Sequence, residues 1–356
     1  MSKRVAVVSP PTIDDVASLA GVHKSTVSRA LNPATVSRVN AKTRERVVAA
    51  AKDLGFSANP SARWLSTGRS MTIGVLVLDI ANPVSATIIK GIDDELHPFG
   101  FGALIGNTNG DPARAQKQLQ RFRDRGVDGV IVGTALLDDV WLSTTLVGTI
   151  PIVEMNRRGS RDRPSVVVDA ASGIRQAMDW LATGGHKAIG CIAAPKNTST
   201  GRDRVEAFLD AYRDLLGGSP TIVHADAVNQ DAGRSACLAL LKRNCEVTAI
   251  LAGSDLLALG CLEALRETSK SCPDDVSLVG FDDMPYSRYF SPALSSIRFD
   301  HYEMGVESAR LMMNALSGTG EANPLVKLPT QWIRRESVRA LSPIAGPVRT
   351  FVRERA

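Results

Sequence analysis

The chain reads as a multidomain protein: a small all-α headpiece built on a helix-turn-helix, a short hinge, and a large doubly wound α/β body. Three observations predict it. Helix-spaced apolar residues with capping signals fill residues 12–54. From residue 72 onward, apolar strand-like runs alternate with amphipathic segments. At 356 residues the chain is too long for one ordinary domain, and 44% hydrophobic residues supply a sizeable core.

Residues 1–11, MSKRVAVVSPP, hold only a four-residue apolar run, too short for a signal-peptide core, and are expected to form a disordered leader. A first helix starts after Thr12, an N-cap with Asp15 three residues on, and its apolar side is Ile13, Val16, Ala17 and Ala20. Gly21 breaks it. The next segment, Lys24 to Leu31, places Val27, Ala30 and Leu31 on one side and Lys24, Ser25, Ser28 and Arg29 on the other. Two short helices around a glycine-containing turn, the second with a cationic outer face, read as a helix-turn-helix. On its own the pattern also fits a plain helical hairpin whose charges are simply solvated. Asn40 then caps a third helix, AKTRERVVAAAKDL, with Val47, Ala51 and Leu54 inward and Gly55 as its stop. This headpiece is set at residues 12–57.

Residues 58–70, rich in Ser, Asn, Pro, Arg and Gly, form the hinge, where Pro60 is placed to start a short helix, SARWLS, that Gly68 ends. In the body, strands are expected at 72–78, 101–106, 127–132, 150–154, 165–169, 187–194, 220–224, 247–252 and 276–281. Helices are expected near 83–98, 112–125, 171–183, 201–216, 231–243 and 255–268. Near-continuous apolar runs such as IGVLVL and GVIV suit parallel strands covered on both faces. Asn82-Pro83 and Asp111-Pro112 each put a cap before a proline at a strand-to-helix junction. The body is set at 71–340, long enough for two doubly wound units, with a tail at 341–356.

Charge separates the two parts. Residues 1–70 hold eleven Lys/Arg against four Asp/Glu, whereas the remainder holds 31 against 33. The excess positive charge therefore lies on the headpiece, as expected if that segment alone meets phosphate backbones. Five cysteines without CxxC spacing suit reduced thiols in a cytoplasmic protein, and no stretch approaches transmembrane length. Enzyme signatures are missing: there is no GxGxxG after the first strand, no GxxxxGK[ST] and no GxSxG. His186, in GGHKAIG, has no metal-ligand spacing to the other four histidines and reads as structural. No catalytic residues, metal or cofactor are expected.

The ordered blocks TIDDVASLAGV, STVSRAL, KTRERV and ARWLSTGRSMTIGVLVLDIANP resemble the lactose/galactose repressor family of bacterial transcription regulators. The likeness continues through GVDGVIV, GGHKAIGCIA, DDVSLVGFDD, FSPALSSI and RRESV, so it covers about Thr12 to Val338. It implies a two-lobed, periplasmic-binding-protein-like body whose chain crosses between lobes near 169, 299 and 328. The N-lobe would hold about 71–168 and 299–328, and the C-lobe about 169–298 and 329–340. It implies a homodimer on double-stranded operator DNA, most often a repressor, controlled by a small-molecule effector such as a sugar, nucleoside or nucleobase. Lys24, Ser25 and Arg29 would read base edges, and Thr26 and Ser28 would hold phosphates, with Thr12 and Asn32 also at the DNA. Leu65 matches the family's minor-groove wedge and Ala62 the small residue before it, although a linker leucine can also be a plain packing residue.

Effectors of such folds bind beyond the carboxyl ends of the strands. The polar residues there are Asp79, Asn82, Asn107, Asn109, Asn156, Arg157, Asp169, Ser254, Asp255, Asp282 and Asp283. The resemblance assigns effector contacts to Asp282 and Arg204, with Asn156, Val84 and Ser254 beside them. Taken singly, Asp282 also fits a strand-end turn and Arg204 a helix-surface charge, while Asp255 and Asn82 fit helix caps. Some residues depart from the family pattern. His23 replaces a serine, which is expected to weaken the cap of the second helix. The 32–39 loop is about two residues longer than the common form. Val84-Ser85 leaves a less aromatic wall, and Asn156 stands where aspartate is frequent. A periplasmic-type binding protein without DNA function is the rival reading, which the missing signal peptide and basic headpiece oppose. An α/β enzyme is a second.

Overall fold

The computed structural model describes residues 11–31, 35–56, 68–137, 150–321 and 323–342. Hinge positions Ala62 and Leu65, and Asn32, lie outside these residues. The chain divides into two compact units, Met1–Ser70 and Met71–Ala356.

In the first unit three helices, α1 (Ile13–Ala20), α2 (Lys24–Leu31) and α3 (Ala41–Leu54), close over Val16, Ala17, Ala20, Val27, Ala30, Val47, Ala50 and Ala51. Each start and stop follows its capping chemistry. Thr12 and Asp15 form a reciprocal capping box, and Gly21 and Gly55 take the left-handed conformation that ends α1 and α3. Arg46 of α3 donates through Nη2 to the carbonyls of Ala20 (2.5 Å) and Gly21 (3.3 Å), fixing the turn between the first two helices. The cap of α2 is a ring nitrogen in place of a hydroxyl. His23 does supply an acceptor: the Ser25 amide donates to its Nδ1 at 3.3 Å.

The body consists of two lobes. The N-lobe sheet is wholly parallel, in the order β11 (Leu325–Leu328), β5 (Ser165–Val168), β4 (Ile152–Met155), β3 (Gly129–Val132), β1 (Thr72–Val77), β2 (Gly102–Asn107). The C-lobe sheet runs β12 (Gln331–Ile333), β10 (Ser295–Arg298), β9 (Ser277–Asp282), β8 (Ala249–Ala252), β6 (Ile189–Ala193), β7 (Ile222–His224), with only β12 antiparallel. Helices α4 (Pro83–Leu96), α5 (Pro112–Asp124) and α10 (His301–Ser317) cover the first sheet. Helices α6 (Ala170–Thr183), α7 (Ser199–Leu215), α8 (Gln230–Arg243) and α9 (Asp255–Glu267) cover the second. The last two strands, β10 and α10 were absent from the sequence reading of elements. These strands are three or four residues long and partly polar, and Gly305 interrupts the helical pattern of α10.

The backbone passes from one sheet to the other between Val168 and Ala170, between Arg298 and His301, and between Leu328 and Gln331. Thr330 stitches the third passage to the first: its hydroxyl donates to the Asp169 carbonyl at 2.6 Å and accepts from the Gly173 amide at 2.8 Å. In each lobe one helix pair meets glycine to glycine. A Cβ on Gly91 would lie 2.2 Å from the Tyr302 oxygen, and one on Gly305 2.1 Å from the Ile88 oxygen. Across α8 and α9 the same holds for Gly233 (2.4 Å from the Leu257 oxygen) and Gly260 (2.1 Å from the Gln230 oxygen).

Candidate functional site: a cationic helix face and a cleft between two lobes

On α2, Val27 and Ala30 are buried while Lys24, Ser28 and Arg29 are exposed and Ser25 and Thr26 half-buried. Every residue expected to touch DNA from this helix therefore lies off its packed side. Lys24 Nζ sits 3.8 Å from Asp14, but both side chains are solvated, so this pair is weak and can yield to a phosphate. Thr12 is spent on its cap, its hydroxyl donating to Asp15 at 2.7 Å. The two Thr12 hydrogen bonds hold the Asp15 carboxyl below the usual range.

The body's cleft lies at the carboxyl ends of both sheets, opens to solvent and has a cavity volume of about 80 Å³. Val77, Asn82, Val84, Ser85, Ile88, Met155, Asn156 and Arg157 line it from the N-lobe, and Thr200, Arg204, Val228, Ser254 and Asp282 from the C-lobe. All five predicted effector residues are thus brought together. Arg204 reaches the cleft because Thr198 caps α7 (Gly201 N to Thr198 Oγ1, 3.0 Å), turning the first helical turns toward it. Its guanidinium lies 3.5 Å from the Phe281 ring centroid, donates to the Gly253 carbonyl at 2.5 Å, and approaches Asp282 Oδ1 to 3.5 Å. Burial pushes the Asp282 carboxyl up to about 6, with Arg204 pulling the other way. Burial also lowers the guanidinium's pKa, against the carboxylates of Asp282 and Asp255. Arg204 Nε and Asn156 Oδ1 are buried without a partner. Unsatisfied polar atoms beside a cleft are costly unless something enters to pair them.

The backbone is bent to present these groups. Asp282 has φ 110°, Asp283 φ 52° and Asn156 φ 62°, conformations that cost non-glycine residues energy and recur at binding sites. The Asn156 loop is held by Glu154, fully buried, which accepts from Arg163 Nη1 (2.8 Å) and the Gly159 amide (2.9 Å). Behind the Asp282 turn lies Asp255. It is not the cap expected from the sequence; Ser254 is, accepting from the Leu257 amide at 3.2 Å. Asp255 is fully buried and accepts from the Met284 amide (2.8 Å), Ser287 Oγ (2.5 Å) and Ser296 Oγ (2.6 Å). Burial, with Asp282 nearby, pushes its carboxyl up to about 7. Gly280 leaves the room for it, since a Cβ there would stand 2.1 Å from Asp255 Oδ1. Asp283 is also behind the cleft, paired with Arg298 Nε (2.7 Å) and Arg335 Nη1 (2.6 Å).

Other strand-end candidates fall outside the cleft. Asp79 accepts from the Ala81 amide in its own loop, Asn107 accepts from the Ile80 amide of that neighbouring loop and donates to Asn109, and Asp169 lies at the first passage between lobes. His186 is structural, its ring nitrogens at Thr248 Oγ1 (3.0 Å) and the Arg339 carbonyl (2.8 Å). The sequence reading missed Thr200, although its i, i+4 relation to Arg204 puts both on one helix face.

Residues 12–59 match the lacI family of bacterial regulatory proteins, and residues 178–338 match a periplasmic binding protein-like domain. The ribose operon repressor of Bacillus subtilis is 30% identical over 328 residues, covering 92% of this chain and 98% of that one. The chain belongs to the lacI family. This regulator is also 31% identical to the HTH-type transcriptional regulator GalS of Salmonella typhimurium over 92% of its length and 96% of that protein's. Its fold matches the lac repressor dimer bound to operator and the anti-inducer ONPF, with a TM-score of 0.80 at 25% identity, covering 93% of this chain and all of that one. Like these relatives, this lacI-family protein is a DNA-binding transcription regulator with a two-lobed α/β body.

Proposed function

We propose that this regulator is a homodimeric, cytoplasmic repressor, without catalytic activity, that binds operator DNA through α2 and releases or tightens it when a small polar effector enters the cleft. The observation that supports the effector role is the convergence of Arg204, Asp282 and Asn156 on one cleft, two of them with buried, unpartnered polar atoms. A guanidinium fork beside a carboxylate suits the vicinal hydroxyls of a sugar or the polar edge of a nucleoside. The name of the Bacillus subtilis relative makes ribose the first compound to try. Because the cleft walls belong to different lobes, a ligand contacting both favours one lobe orientation, which the paired hinges would carry to the DNA.

A thermal-shift screen of sugars, nucleosides and nucleobases tests the effector role, since a ligand bound only by the folded state raises Tm. Arg204→Ala and Asp282→Asn are expected to weaken the best hit at least tenfold while leaving ligand-free DNA binding intact. Loss of DNA binding by a folded Asp282→Asn dimer would remove this residue from the effector site. For the headpiece, Arg29→Ala is expected to cost about 1–3 kcal/mol on a selected site and to relax preference at one base pair. Equal losses on selected and random DNA, measured by fluorescence anisotropy, would assign Arg29 to the backbone.

A further inference from the structure

We propose that His23 is a positioning residue that fixes Ser25 as a hydrogen-bond acceptor, so that this serine selects the amino edge of adenine or cytosine. The inference rests on the DNA-reading role of α2 given above. His23 Nδ1 meets two groups of Ser25, the backbone amide at 3.3 Å and the hydroxyl oxygen at 2.9 Å. An amide N–H can only donate, so Nδ1 carries the lone pair and the ring proton sits on Nε2. The hydroxyl oxygen of Ser25 lies 2.9 Å from Nδ1, so its hydrogen is then drawn toward that lone pair as well.

The consequence is chemical. A free serine hydroxyl donates or accepts with equal ease and pairs with any base edge. With its hydrogen held by His23, the Ser25 oxygen offers only lone pairs. In the major groove the donors are adenine N6 and cytosine N4, whereas guanine O6 and N7 and thymine O4 are acceptors. Ser25 is half-buried and one helical turn before the exposed Arg29, so the two address neighbouring bases independently.

In vitro selection with the full chain on randomised duplex DNA tests this. Ser25→Ala identifies the base position that Ser25 reads, as the one whose preference flattens. The wild-type chain is expected to enrich adenine or cytosine there roughly fivefold, the worth of one net hydrogen bond. His23→Ala should flatten the same position and leave the Arg29 position sharp. His23→Ser restores an N-cap oxygen for the α2 amide without an imidazole lone pair. It should therefore recover affinity but not the preference. Guanine or thymine enriched at that position, an adenine or cytosine preference surviving in both His23 variants, or a Ser25→Ala profile identical to wild type would each overturn the proposal. A wild-type chain that enriches no sequence would instead remove the DNA-reading role of α2, and this inference with it.

Discussion

C-lobe stability is expected to fall as pH rises from about 4 to about 7, and Asp255→Asn is expected to flatten that fall. The Asp255 carboxyl stands at about 7 in the folded chain, against 3.8 for an unperturbed aspartate. Between those values the folded state holds a proton that the unfolded state has released. Its contribution is complete below the unfolded pKa and is lost as pH rises through about 7, amounting to roughly 4 kcal/mol as an order of magnitude. Asp282, raised to about 6, acts in the same direction, so a shallower slope remains in the variant. Asparagine mimics the protonated acid: its carbonyl oxygen can accept from the Met284 amide, and its NH₂ can donate to Ser296 Oγ, which already accepts from the Asp283 amide. Hydrogen exchange of C-lobe amides at pH 5 and pH 8 measures the effect directly. Equal pH slopes in wild type and variant would show that Asp255 does not hold the proton.

Gly260→Ala and Gly305→Ala should each destabilise their own lobe by about 3 kcal/mol or more. At an uncrowded helical position the same change stabilises by about 1 kcal/mol. Here the new methyl meets backbone, 2.1 Å from the Gln230 oxygen in one case and 2.1 Å from the Ile88 oxygen in the other. Backbone in a facing helix cannot rotate away as a side chain can, so the helices must separate, which forfeits the packing beneath them. Urea unfolding compared with Ser235→Ala, an exposed site on α8, separates crowding from propensity. Stability equal to or above wild type in either glycine variant would mean that these helix pairs can part at little cost.

Much of the architecture was legible because it is written locally. Caps at Thr12, Asn40, Asn82 and Asp111 and stops at Gly21 and Gly55 all take the roles that their side chains favour. The convergence of Arg204 and Asp282 followed from family resemblance, and the cleft does bring them within 3.5 Å. What stayed hidden depends on distant partners. Asp255 looks like a helix-start acid, and nothing nearby in sequence reveals that its three donors lie 29 to 41 residues away. His23 looked like a weaker cap because propensity scales count hydroxyls and amides, not a ring nitrogen turned back on its own helix. Strands β11 and β12, at sheet edges, are only four and three residues long, too short to announce themselves.

The order in which the strands enter the two sheets governs how the protein leaves the ribosome. Residues up to Val168 supply five of the six N-lobe strands, yet α10, which packs on β3, β4, β5 and α4, and the edge strand β11 follow only after the C-lobe strands β6 to β10 have been made. At roughly 5–20 residues per second, the apolar side of that sheet waits on the order of ten to thirty seconds for its cover. During that interval β5 is also an open edge, free to pair with a neighbouring nascent chain. The N-lobe sheet is complete only when Leu328 emerges and the C-lobe sheet only when Ile333 does, so a chain stopped before α10 lacks the helix that packs on β3, β4 and β5.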